Sequence, residues 1–80
     1  MAPTKRDILN ILGADGRERT ASDIADAIGA SWPTVSMTLL RLFRSGLVTR
    51  RGRGGGFGGV FLYAITERGR RRLAYWRHLS

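Results

Sequence analysis

Apolar positions recur at helical spacing three times in the first half of the chain. Ile8, Leu9, Ile11 and Leu12 predict a first helix that opens near Thr4. Thr4 and Asp7 stand at capping-box spacing, so the hydroxyl can accept from the Asp7 amide while the carboxylate reaches back. Gly13 and Gly16 are expected to end this helix, with Ala14 and Asp15 in the turn. Thr20 and Asp23 repeat the device ahead of a stripe of Ile24, Ala27 and Ile28, which Gly29 stops. That second helix is under three turns, too short to stand alone in water. A third helix follows at once, with Ser31 as N-cap and Pro33 in the first turn, where its missing N–H leaves nothing unpaired. Val35, Leu39 and Leu42 share one face, flanked by Thr38 and Phe43. Pro33, Met37, Arg41 and Arg44 share the other, with Thr34, Ser36 and Leu40 beside it. Gly46 closes it.

The period then changes. Leu47 to Arg51 and Val60 to Ile65 read as two strands, the second β-branched and aromatic. Between them six of the eight residues from Gly52 to Gly59 are glycine, which predicts a flexible hairpin loop. Thr66 caps a final helix and Glu67 suits its positive end. Leu73, Trp76 and Leu79 form its expected buried stripe, with the arginines elsewhere on it. The class is α+β: three helices, a two- or three-stranded β-hairpin and a C-terminal helix, in one domain over residues 1–80. No repeat or inter-domain linker interrupts it.

Charge changes the picture. Fourteen Lys and Arg against six Asp and Glu give a formal net charge of +8. Four bases and five acids lie in residues 1–40, whereas residues 41–80 hold ten arginines and Glu67 as the one acid. Such asymmetry points to a polyanionic partner rather than to a merely solvated basic face. Arginine's planar fork suits phosphate oxygens and guanine edges. A membrane surface would ask for a basic amphipathic helix with a large apolar face, and the short C-terminal helix is the one candidate for that. The apolar runs fall far short of the roughly 18 residues of a membrane helix. The start, MAPTKRD, lacks the apolar stretch of a signal peptide, so a cytoplasmic, nucleoid-associated location is expected.

Composition also excludes chemistry. With no cysteine there is no disulfide, thiolate zinc site or cysteine nucleophile. A single histidine, His78, cannot build a metal cluster without several carboxylates. It is expected to be exposed and without a role. Six acids leave little for paired-carboxylate catalysis, and no Gly-Lys-Ser/Thr follows the glycine loop, so it is not a P-loop. No enzyme, catalytic residue, metal, cofactor or small-molecule substrate is expected. A domain of this size buries only about 60% of its unfolded surface, so a partner subunit would help it.

Two helices joined by a short glycine-containing turn form the helix-turn-helix pattern. Here the run Asp23 to Gly29 resembles the first helix of that motif. Thr34, Val35 and Ser36, with Leu39, Leu42 and Gly46 to Val48, resemble the recognition helix of winged-helix regulators of the MarR and PadR type. Tyr63 to Gly69 is similar to their closing signature, Y-x-L-T-x-x-G. The resemblance covers nearly the whole chain. It implies a helix-turn-helix over about 21–45, a wing over about 47–65 and a C-terminal helix over about 66–79.

That resemblance implies binding to double-stranded DNA by a transcriptional repressor or similar regulator, with the third helix in the major groove. Its groove face would comprise Ser31, Trp32, Pro33, Thr34, Ser36 and Met37, followed by Arg41 and Arg44, which would reach the backbone. The wing would place Arg50, Arg51 and Arg53 at a flanking minor groove or phosphates. A homodimer on a pseudo-palindrome is expected, with half-sites about 34–36 Å apart. No room is left for a separate effector domain, so regulation would come from abundance or partners.

The chain departs from the family pattern in three places. Met37 stands where relatives often carry Arg or Lys, which shifts base readout toward apolar contact such as methionine or proline against thymine methyls. Leu40 and Phe43 occupy often-charged positions: they are either a dimer interface or cover for the flank of the first or last helix. The wing is unusually rich in glycine. Trp32 could stack on sugar or base, but partial burial is expected of an aromatic at a helix start. Tyr75 and Trp76 suit core or dimer contacts better than ligand stacking, and Arg70, Arg71 and Arg72 read as a solvated face. Two other functions compete. The Arg-Gly segment from Arg51 to Gly59 could bind RNA or single strands without sequence preference, or the winged helix could serve protein interaction, with a blocked or apolar third helix.

Overall fold

The computed structural model describes residues 5–53 and 60–79. Its elements run α1 (Lys5–Asp15), α2 (Ala21–Ile28), α3 (Trp32–Arg44), β1 (Val48–Arg53), β2 (Val60–Ile65) and α4 (Glu67–Leu79). The strands form a two-stranded antiparallel sheet in which Val48 pairs with Ile65, Arg50 with Tyr63 and Arg53 with Val60. Arg19 adds a one-residue bridge to Tyr63, donating to its carbonyl at 2.9 Å and accepting from its amide at 2.8 Å. The expected choice of two or three strands thus becomes a two-stranded hairpin with a single-residue third rung.

The core is wholly apolar. Ile8, Leu9 and Leu12 of α1 meet Ile24 of α2, Val35, Leu39 and Leu42 of α3, Val48 and Tyr63 of the hairpin, and Leu73 of α4. α1 lies centrally and packs against α2, α3, α4 and β2. The α2 cap forms as expected: Asp23 N donates to Thr20 Oγ1 at 3.1 Å, and Thr20 N donates to Asp23 Oδ2 at 3.2 Å. Gly29, at φ +67°, provides the left-handed stop. The matching cap at Thr4 lies outside the described residues.

Several local expectations are corrected. Gly13 does not end α1. The helix continues to Asp15 and turns at Gly16, whose φ is +70°, while Gly13 is where α4 comes close, since a Cβ there would lie 3.0 Å from Leu73 Cδ2. In α2 the buried alanines are Ala21 and Ala25, and Ala27 is exposed. Ser31 holds N-cap backbone geometry, but its hydroxyl donates to Thr34 Oγ1 at 2.8 Å instead of capping an amide. β1 runs on through Gly52 and Arg53, which pair with Phe61 and Val60; the rest of the predicted glycine loop, residues 54–59, lies outside the described residues. Leu79 is 65% exposed, so the α4 stripe reaches the core only through Leu73 and, partly, Trp76. Trp32 is 55% exposed, in keeping with the partial burial expected of it.

The junction between α3, β1 and α4 explains the closing signature. Thr66 Oγ1 donates to the Gly46 carbonyl at 2.8 Å and accepts from Gly69 N at 3.0 Å. Thr66 N donates to the Leu47 carbonyl at 3.1 Å. One threonine therefore caps α4 and ties it to the end of the α3 turn. Gly69 is buried against that carbonyl: a Cβ there would stand 2.1 Å from Leu47 O. The T-x-x-G spacing is a docking joint between helix and strand.

Candidate nucleic-acid interface

One side of the molecule gathers the start of α2, the outer face of α3 and the α3-facing side of the hairpin. Burial of Val35, Leu39 and Leu42 turns Pro33, Met37, Arg41 and Arg44 outward. Thr34, Ser36, Thr38 and Leu40 are half-buried at the edges of that face. Trp32 stands between two shallow grooves. One runs toward Thr20 and Ser22 at the start of α2. The other, about 480 Å³, lies between α3 and the hairpin, walled by Trp32, Pro33, Met37, Leu40, Arg50 and Phe61.

Strand geometry separates the wing arginines. Directly opposed residues share a face of an antiparallel pair, and neighbours along a strand alternate. Arg50 therefore shares a face with Tyr63 and turns toward α3, where its guanidinium lies 4.4 Å from the ring centres of both Phe43 and Phe61. Arg51 faces the other way and grips Glu18, Nε to Oε2 at 2.6 Å and Nη2 to Oε1 at 2.8 Å. That fork holds the Glu18 carboxyl below the usual glutamate range and raises Arg51. Arg53 lies in β1 opposite Val60, and its side chain lies outside the described residues. Arg50 and Arg51, predicted to act together, thus lie on opposite faces of the hairpin. The sequence signal for this division was the period-2 rule itself; the stacking of Arg50 on Phe43 and Phe61 had none.

The acids of the first half neutralise part of the basic surface. Asp15 pairs with Arg19 at 3.0 Å and lies 3.9 Å from Arg17; the Arg17 amide, which donates to it, and the two guanidiniums hold its carboxyl low. Glu67 pairs with Arg71 at 3.6 Å. Among the described residues, Arg41 and Arg44 have no ion-pair partner. They are free cations on the outer face of α3.

Of the suggested dimer contacts, Leu40 and Phe43 belong to the α3–hairpin groove and the Arg50 stack. Tyr75 is 57% exposed on α4, and Trp76 packs partly on the core, with Arg72 5.9 Å from its ring centre. Among the described residues no group of three or more His, Asp or Glu could hold a metal ion, and no helix is long and apolar enough to cross a membrane.

A family model described as winged helix-turn-helix DNA-binding matches residues 1–49. The chain belongs to that family. Solved structures share its arrangement. PadR of Bacillus subtilis in complex with operator DNA matches with a TM-score of 0.79 and 23% identity, over 90% of this chain and 45% of that one. At that identity the likeness is one of fold. A MepR mutant of S. aureus bound to oligodeoxyribonucleotide gives 0.81 and 25%, over 94% and 54%. A MarR family transcription regulator gives 0.78 and 26%, over 92% and 48%. This winged helix therefore spans about half the length of these relatives. No match was found among curated proteins.

Proposed function

We propose that this winged helix binds double-stranded DNA in the cytoplasm as a transcriptional regulator, with α3 in the major groove. The observation that carries this reading is the outer face of α3: exposed along its length, bearing the unpaired Arg41 and Arg44, and continuous with the start of α2 and the hairpin. The α3 hydroxyls and Met37 would meet base edges, Arg41 and Arg44 the phosphates, and Arg50 of the wing a neighbouring stretch of backbone. The solved complexes of MepR with oligodeoxyribonucleotide and PadR with operator DNA support the nucleic-acid class.

Repression by a homodimer on a two-fold operator is the expected mode of action. Exposed Tyr75 and Leu79 on α4 offer it an apolar contact. Leu40 and Phe43 are engaged beside the hairpin, which favours α4 for that role. Residues 1–80 act as a single domain in this reading.

The test is titration of a fluorescent mixed-sequence duplex, against single-stranded RNA of equal length, at several salt concentrations. Duplex preference is expected, with log Kd rising against log salt by about 0.9 per phosphate contacted. Equal or tighter RNA binding would shift the function to the Arg-Gly hairpin. Binding to neither would shift it to a protein partner.

A further inference from the structure

We infer that the groove between α3 and the hairpin reads thymine methyl groups, with Trp32, Met37 and Phe61 as the specificity-determining side chains. The inference rests on the duplex-binding reading and deepens it, by naming the chemistry and the side chains of base discrimination.

The polar means of base reading are scarce on this helix. Discrimination in the major groove commonly uses bidentate Arg, Lys, Asn, Gln or acidic side chains. None occurs from Ser31 to Leu40. The first such residue, Arg41, lies roughly 13 Å along the axis from Trp32, at 1.5 Å per residue. The hydroxyls are partly committed: Ser31 Oγ donates to Thr34 Oγ1 at 2.8 Å, and Thr38 Oγ1 donates to the Thr34 carbonyl at 3.0 Å.

Apolar means are abundant in the same place. Trp32 and Met37 are 55% and 54% exposed, and Phe61 is 43% exposed across the groove from them. Pro33 and Leu40 also line it, with Ser36, Arg50 and Tyr63 as its polar members. The one apolar group that the four bases present in the major groove is the C5-methyl of thymine. Charge complementarity selects DNA as occupant over an apolar peptide. Arg50 of β1 lines the groove, stacked on Phe43 and Phe61, and Arg41 and Arg44 lie further along α3 without carboxylate partners among the described residues. The Arg50 stack also links the hairpin to α3 through Phe43.

The experiment removes the methyl and nothing else. A preferred site is selected from random duplex with the full chain. Its affinity is then compared with that of the same duplex carrying deoxyuridine for every thymine. Burial of one methyl is worth about fourfold in affinity, so two methyls per site should give roughly 15-fold weaker binding to the deoxyuridine duplex. The salt slope should not change, because no phosphate contact is lost. Met37→Ala and Trp32→Ala should weaken binding to the thymine duplex and bring the ratio of the two affinities toward one, while Met37→Leu keeps the ratio.

Equal affinity for the two duplexes would overturn the inference and leave duplex binding standing. So would a ratio that persists in both alanine variants, which would assign the preference to DNA shape. A shift of the monomer–dimer equilibrium by Met37→Ala in sedimentation of the free protein would assign the groove to a second copy and overturn it too. Absence of duplex binding would overturn this inference together with the reading beneath it.

Discussion

Replacing Gly69 by alanine tests the joint that holds α4 to the rest of the domain. The position lies within α4, where alanine is intrinsically favoured over glycine by about 1 kcal/mol. Propensity alone therefore predicts stabilisation. The structure predicts the reverse. The new Cβ would stand 2.1 Å from the Leu47 carbonyl oxygen and 2.8 Å from Ile65 Cγ1. Ordinary carbon–oxygen contacts begin near 3.3 Å, so α4 must recede by roughly 1 Å. The obstacle is backbone and cannot rotate away. Overpacking of this kind costs about 1–3 kcal/mol. Recession also stretches the Thr66 N to Leu47 O bond, now 3.1 Å, at about 0.5–1.5 kcal/mol. Taking the upper half of these ranges and subtracting the helical gain leaves a loss of about 2–3.5 kcal/mol. For a domain of this size that lowers Tm by roughly 8–28 °C.

Thermal unfolding followed by circular dichroism at 222 nm measures it, with urea unfolding as a second route to the same difference. Gly52→Ala is the control, because a Cβ there meets nothing within 4 Å, and it should change stability by no more than about 0.5 kcal/mol. A Gly69→Ala protein that melts with or above the parent would refute the argument, since it would mean that α4 does not rest on the Leu47 carbonyl.

Four further outcomes are expected. Thr66→Val removes the acceptor for Gly69 N and the donor for Gly46 O, and should cost about 1–2 kcal/mol by urea unfolding. Arg41→Ala should reduce the salt slope of duplex binding by about 0.9 if it neutralises one phosphate, read by fluorescence anisotropy from low to moderate salt. Arg51→Ala should leave that slope nearly intact, because its guanidinium is already committed to Glu18. Glu18 has a lowered pKa, so its pairing contributes stability above the ordinary glutamate value of 4.5 and loses it as pH falls through the lowered folded value; the Tm difference between the parent and Glu18→Gln should be present at pH 7 and shrink toward zero in acid.

What could be read from the chain was local, and what could not was the meeting of distant pieces. The α2 cap is a matter of Thr20 and Asp23 three residues apart, and Gly29 carries its own left-handed geometry, so both were legible. The face of α3 was legible too, because Val35, Leu39 and Leu42 fix which side is buried. Leu79 shows the limit of that logic: periodicity identifies a stripe but says nothing of how far the neighbouring element extends beneath it. Gly69 shows another, because its necessity comes from a carbonyl on a different element. Charge was misleading in a more instructive way. Counted along the chain, the second half is overwhelmingly basic, but folding brings Glu18 onto Arg51, 33 residues away. Among the described side chains of the arginines expected to face DNA, that leaves Arg41 and Arg44 unpaired and Arg50 stacked on two rings. Pairing of Arg51 with Glu18 would weaken the sequence-independent pull on phosphates, and in the proposed reading base discrimination falls to the apolar groove that Arg50 frames.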